Sequence, residues 1–206
     1  LFKDVDNLLT KNRIFIDRME NTGAIPVESA ISWGFTGPCL RAAGVDYDVR
    51  KNHPYLCYDK LDFDIPLGKT GDNFDRYLVR MEEIKQSLKI IKQAMRDMPD
   101  GPINVDHPYL RAPAKPDVYK RMEEMIAHFK MVIDGLKPPV GEAYFPTEAA
   151  NGELGFYLVS DGSGKPYKCR VRPPSFTLTQ AMPEMCEGGM LADIIPTFDM
   201  INMIGG

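Results

Sequence analysis

Between Asp72 and Met98 apolar residues return at every third or fourth position: Phe74, Tyr77, Leu78, Met81, Ile84, Leu88, Ile91, Met95 and Met98. That period puts them on one side of an α-helix, which at 1.5 Å per residue spans about 40 Å. Thr70 through Asn73 supply capping groups, and Asp72 and Asp75 suit the positive end of the helix dipole. Pro99-Asp100-Gly101-Pro102 ends the helix. A proline-rich connection through Pro116 leads to a second helix over 117–135. Val118, Met122, Met125, Ile126, Phe129, Ile133 and Leu136 lie on its expected buried side. Two long amphipathic helices joined by a modest loop make an antiparallel hairpin over 72–136 the default.

After Pro138-Pro139 the period changes to alternation. Turn signals at Asn151-Gly152 and Asp161-Gly162-Ser163-Gly164 divide 142–172 into a three-stranded antiparallel meander, which Pro173-Pro174 ends. Asn-Gly and Asp-Gly supply the positive φ that tight hairpin turns require. Helical patterns return over 175–204, broken at Pro183, Gly188-Gly189 and Pro196. Before the long helix, 2–19 reads as one amphipathic helix stopped by Asn21-Thr22-Gly23, and a short helix around Val27–Trp33 ends at Gly34. An extended stretch over 53–67 carries the alternation Leu61-Asp62-Phe63-Asp64-Ile65. The fold class is therefore α+β, mainly helical with one small sheet. The 206 residues read as a single, partial domain, because Leu1 already sits in a helical pattern and Gly205-Gly206 follow directly on an apolar stretch.

Several function classes drop out. A net charge of −4 leaves no basic stripe to neutralise phosphates, which argues against nucleic acid, and no polybasic reason to sit on an anionic membrane. No run approaches the roughly 18 apolar residues of a spanning helix, so any link to a membrane passes through protein partners. Cys39, Cys57, Cys169 and Cys186 form no C-x-x-C pair and read as free thiols, and no metal site is expected. His53, His107 and His128 are scattered and read as surface or packing residues. The chain has no nucleophile elbow, dinucleotide fingerprint, phosphate-binding loop or H-E-x-x-H motif.

Four residues remain as candidates. Arg41 stands among small and apolar neighbours in Gly37-Pro38-Cys39-Leu40-Arg41-Ala42-Ala43-Gly44, where small residues let two backbones approach. It is either tied to a carboxylate under another part of the fold or placed near a buried acceptor. Arg170 and Arg172 share one side of a strand. They can hold a carboxylate, a phosphate or a partner subunit, or simply keep an edge solvated. Asp193 is the lone carboxylate in Met190-Leu191-Ala192-Asp193-Ile194-Ile195. Facing protein, it is a proton-relaying group, or else a helix cap or the partner of one of these arginines.

Long motifs in one order now give a resemblance. They are Ser32-Trp33-Gly34-Phe35-Thr36-Gly37-Pro38-Cys39-Leu40-Arg41 running into Gly44–Lys51, Gly71–Glu83, Gly152-Glu153-Leu154-Gly155 with Val159-Ser160-Asp161-Gly162, Arg170–Phe176 and Leu191-Ala192-Asp193-Ile194. The pattern resembles the quinone-pocket subunit (the D subunit) of respiratory NADH:quinone oxidoreductase, or complex I. It covers essentially all 206 residues and matches the C-terminal half of that family.

The resemblance implies a helical bundle related to the large subunit of nickel–iron hydrogenases. The two C-x-x-C pairs that hold metal there are missing here, which fits the respiratory branch. It also implies a quinone cavity beside the small subunit that holds the terminal iron–sulfur cluster. A homologue of the C subunit is a further neighbour, and FMN and iron–sulfur clusters lie on other subunits. Quinone is the substrate, and no prosthetic group is expected on this chain. Quinone reduction is coupled to proton or sodium translocation by the membrane arm, with this subunit peripheral on the cytoplasmic or matrix side. The family's headgroup tyrosine and histidine belong to an N-terminal sheet that these residues do not include. Asp193 therefore remains as the catalytic candidate by motif match, with Arg41, Arg170 and Arg172 as cavity or subunit-interface support. The alternatives are a non-catalytic helical scaffold and the equivalent subunit of a ferredoxin-driven or hydrogenase-like membrane complex.

Overall fold

The structure is a computed structural model that describes residues 2–105, 107 and 110–203. The fold is α+β, largely helical, with one three-stranded antiparallel sheet in the order β1-β2-β3. The chain forms two compact units. One takes in the N-terminal segment through Arg96, the hairpin tip Pro146–Gly155 and the C-terminal segment from Arg172. The other holds Asp97–Phe145 and Phe156–Val171.

The first unit opens with three pieces where the sequence suggests one helix. These are α1 (Phe2–Val5), a π-helical turn over Asp6–Thr10, and α2 (Arg13–Met19). The break comes at Asn12, whose side chain accepts from Ile14 N and Phe15 N and starts a new helix instead of continuing the old one. Asn21 and Gly23 then turn the chain with φ of 59° each. Next come α3 (Val27–Ser32), α4 (Gly37–Ala42) and α5 (Val49–Asn52). All six residues of α4 are buried, which only small side chains and one neutralised arginine permit. Its last carbonyls are satisfied from outside the helix: Gly68 N donates to Arg41 O and Gly71 N to Ala42 O.

The extended stretch does not enter a sheet. After a 3-10 turn at Tyr58–Lys60 its alternation survives, with Phe63 buried and Asp62 and Asp64 exposed. Side chains of α6 (Asn73–Arg96) substitute for a neighbouring strand. Gln93 bonds both the amide and carbonyl of Asp62, Gln86 accepts from Asp64 N, and Lys89 pairs with Asp62 at 2.9 Å. At its N-terminus α6 is capped by Asp72, which accepts from Asp75 N and from Asn21 N, each at 2.8 Å. Its first turns are buried through Asn73, Arg76, Tyr77 and Val79. Farther along, Ile84, Leu88, Ile91 and Met95 are 46–71% exposed, unlike the fully buried face the period suggests.

In the second unit the expected helix over 117–135 is divided into α7 (Lys115–Val118) and α8 (Met122–Ile133). Asp117 O accepts from both Lys120 N and Arg121 N, closing α7 as a tight turn, and Arg121 is extended before α8 begins. The anticipated buried side of α8 is also corrected. Ala127 is buried, whereas Met122, Phe129 and Ile133 lie open, Phe129 at 60%. No described residue covers that side.

The meander matches its reading: β1 (Gly141–Ala149), β2 (Gly152–Ser160) and β3 (Lys168–Arg172). Gly152 and Gly162 carry the positive φ, at 136° and 86°. Asn151 serves differently from expectation, through a buried side chain that donates to Ser175 Oγ and Asn202 O. The chain ends in α9 (Pro174–Gln180), α10 (Met182–Cys186), a 3-10 turn (Leu191–Asp193) and α11 (Ile194–Ile201). Pro183 and Pro196 begin helices rather than break them, since a first-turn residue needs no amide donor. The core gathers Ile25, Ala30, Phe35, Cys39, Leu40, Leu178, Ala181, Met185 and Ile201 from α3, α4, α9–α11 and the short connections beside them.

Candidate functional site: a buried arginine–carboxylate cluster and the Asp193 turn

The four sequence candidates occupy three environments. Arg41 is 1% exposed at the end of α4. Its Nε and Nη2 both donate to Glu83 Oε1, at 2.9 and 2.6 Å, and Nη2 also donates to Glu148 Oε1 at 3.0 Å. Nη1 donates to Tyr47 O and lies 3.4 Å from Asp48 Oδ2. Asp48 in turn receives Nε and Nη2 of Arg50, at 2.9 and 2.6 Å. Of the two readings the sequence leaves open, the tie to carboxylates is the one realised, with three of them. They come from α6, from β1 and from the residue that caps α5.

Burial and charge work against each other here. For Glu148 burial dominates and pushes the carboxyl up despite Arg41. Burial would raise Asp48 as well, but its hydrogen bonds from Arg50 and the charges of Arg41 and Arg50 hold it below the usual carboxylate range. Burial would lower Arg41, yet Glu83, Glu148 and Asp48 raise it. A cleft of about 220 Å³ opens onto the cluster, lined by Arg41, Arg50, Tyr58, Glu83, Ser87 and Glu148 among others.

Arg172 is a fastener for the same neighbourhood. It donates to Gly34 O at 2.6 Å, Glu153 O at 2.6 Å and Thr36 Oγ1 at 3.0 Å, joining the loop before α4 to β2. Glu153 N donates to Thr36 Oγ1, and Tyr47 OH donates to the Glu153 side chain. The hairpin tip is thus held from three sides. Arg170, two residues earlier on β3, is exposed in the other unit and pairs with no described residue. The structure does not bring the two arginines onto one ligand.

Asp193 is buried, 8% exposed, at the end of the 3-10 turn. Its Oδ2 accepts from Met190 N at 3.0 Å and its Oδ1 from Arg18 Nη2 at 2.9 Å. This is a cap paired with an arginine, although the arginine comes from α2 rather than β3. The Arg18 side chain is 37% exposed, so the pair reaches solvent on that side. Sequence reasoning missed Arg18, Asp48, Glu83 and Glu148. It also missed Arg76, which is fully buried and donates to Asn73 Oδ1, Gly23 O and Gly71 O. One signal was present: Arg76, Arg80 and Glu83 form a polar stripe on α6 at the same spacing as its apolar one.

Comparison with known proteins covers the same residues. The family model for the respiratory-chain NADH dehydrogenase 49 kDa subunit matches residues 1–206. The NADH-quinone oxidoreductase D subunit of Myxococcus xanthus is 58% identical over 206 residues, covering 100% of this chain and 50% of that protein. One of the D subunits of Sorangium cellulosum is 53% identical, with 100% and 51% covered. The C/D subunit of Bdellovibrio bacteriovorus is 50% identical over 203 residues, with 98% and 36% covered. The chain spans about half the length of most of these curated relatives. It belongs to the family of the respiratory-chain NADH dehydrogenase 49 kDa subunit, which is the D subunit of NADH-quinone oxidoreductases.

Proposed function

We propose that this chain is the C-terminal part of a subunit that shapes the quinone cavity of a proton-translocating NADH:quinone oxidoreductase. The observation that carries the reading is the family match over every residue, with 58% identity to a protein named for that activity. In this reading the chain binds no prosthetic group, and electrons reach quinone from NADH through FMN and iron–sulfur clusters on other subunits. Its neighbours are the small subunit with the terminal cluster and a homologue of the C subunit, which the C/D name of the Bdellovibrio relative favours. No described helix is long and apolar enough to cross a membrane. In this reading the chain is peripheral, held through partners on the cytoplasmic or matrix side.

Quinone becomes quinol by taking up two electrons and two protons, so the cavity needs groups that hold and pass protons. Asp193 is the candidate for that role by motif match; one of its oxygens is oriented by a backbone amide and the other by Arg18, which itself reaches solvent. Arg41 and Arg172 set the backbone of the Gly34–Ala42 segment, while Arg170 is free to meet a partner subunit.

The test is Asp193→Asn in the full-length subunit, with quinone reductase activity measured in membranes and assembly followed on native gels. A complex that assembles and still oxidises NADH with an artificial acceptor, but loses quinone reduction, bears the reading out. Untouched quinone reduction in a fully assembled complex refutes a chemical role for Asp193. One observation favours a second reading, a docking scaffold: the open apolar sides of α8 and of the later turns of α6.

A further inference from the structure

The cluster around Arg41 does not balance. Arg41 and Arg50 contribute two positive charges, while Asp48, Glu83 and Glu148 contribute three negative ones if all are ionised, leaving one carboxylate in excess. The members are not equally placed. Asp48 receives both arginines and the backbone amide of Arg50. Glu83 receives two bonds from Arg41 and has an 18% exposed side chain. Glu148 receives one bond, from Arg41, and its side chain is 6% exposed. Its second oxygen, Oε2, takes no hydrogen bond from any described residue, although the residue lines the cleft. Glu148 is thus the carboxylate with the fewest donors in a cluster that carries one negative charge too many, and the cleft beside it admits solvent.

We propose that Glu148 is a proton-binding site. It takes a proton from solvent through the cleft ahead of Asp48, and the hairpin tip is held more tightly when that proton is bound. Protonation brings the cluster to zero net charge and leaves the carbonyl oxygen of Glu148 accepting from Arg41. The groups that face it are Arg41 from α4, Asp48 and Arg50 from the start of α5, Glu83 and Ser87 from α6, and Tyr58 from the 3-10 turn. Tyr55 OH accepts from the Glu148 amide, which ties the 55–58 segment to the tip. The burial-driven rise of the Glu148 carboxyl agrees in sign. A group with a raised folded pKa stabilises the fold below its unfolded pKa, and that contribution fades as pH climbs to the folded value. The tip therefore loosens as pH rises from the ordinary carboxylate range toward the raised one. The inference does not depend on the quinone reading.

Hydrogen–deuterium exchange of peptides covering 146–155, in the assembled complex across a pH series and corrected for intrinsic exchange, tests it. Wild-type protection is expected to increase as pH is lowered from neutral. Glu148→Gln, which mimics the neutral acid, is expected to keep that protection at every pH. Glu83→Gln, which alters the carboxylate that Arg41 bonds twice, is expected to lose it throughout. Three results overturn the proposal: a pH dependence that persists in Glu148→Gln, loss of protection in Glu148→Gln equal to that in Glu83→Gln, and failure of Glu148→Gln to assemble. Glu148→Asp provides a second check, since it keeps a titrating carboxyl and its pH dependence should survive.

Discussion

Gly37 and Gly152 meet where the start of α4 crosses the turn into β2. A Cβ on Gly37 would lie 2.3 Å from the Cα of Gly152 and 2.7 Å from Asn151 O, and φ at Gly37 is +65°. The obstacle is backbone on both sides, so no side chain can move aside. Gly37→Ala should therefore destabilise the full-length subunit by about 3 kcal/mol, from the clash and the left-handed backbone together. Chemical denaturation of the purified subunit would show this as a lower midpoint with an unchanged slope. The contact matters because it sets the distance over which Arg41 reaches Glu148 and Arg172 reaches Glu153. Looser packing there would leave a buried guanidinium and its carboxylates imperfectly paired, a far larger loss than that of a surface pair.

At the scale of elements, α6 organises the first unit through two unlike faces. Its first turns are fixed by Asp72, which is 2% exposed and accepts amides from both Asp75 and Asn21. One carboxylate thus caps the helix and ties down the turn that follows α2. Asp72→Ala should lower stability by about 1–2 kcal/mol, more than a cap serving its own helix alone, because the Asn21 amide also loses its acceptor. Thermal unfolding followed by circular dichroism measures it; a change under a few tenths of a kcal/mol would show that solvent replaces both bonds. The segment before α6 shows the reverse relation. Its alternation reads as a strand, yet no described strand pairs with it, and Gln86, Lys89 and Gln93 supply the partners instead. Sequence period reports which residues point inward, not which backbone lies alongside.

At the scale of the whole molecule, α8 carries an apolar side that no described residue covers. Phe129 is 60% exposed in the middle of it, so Phe129→Asp should change the stability of the subunit by no more than about 0.5 kcal/mol. In a docking surface the same change places a charge in a desolvated contact, and assembly of the complex should fall sharply. Native gels of membranes beside denaturation of the isolated subunit separate the two effects. Equal loss in both would mean that the residue supports the fold of the unit itself.

The sequence by itself determined the α+β class, the meander and its two glycine turns, the limits of α6, and the family, because each rests on local period, turn chemistry or ordered motifs. It did not disclose the break at Asn12 or the division at Tyr119–Arg121, where local hydrogen bonds outcompete an apolar period. Arg41 was legible as an arginine set among small residues, but its three carboxylates lie 7, 42 and 107 positions away. Asp193 was legible as an isolated carboxylate, yet its cation comes from 175 residues earlier. Only the tertiary structure decided these pairings, because an ion pair is specified by distance and desolvation in space, and neither leaves a periodic trace along the chain.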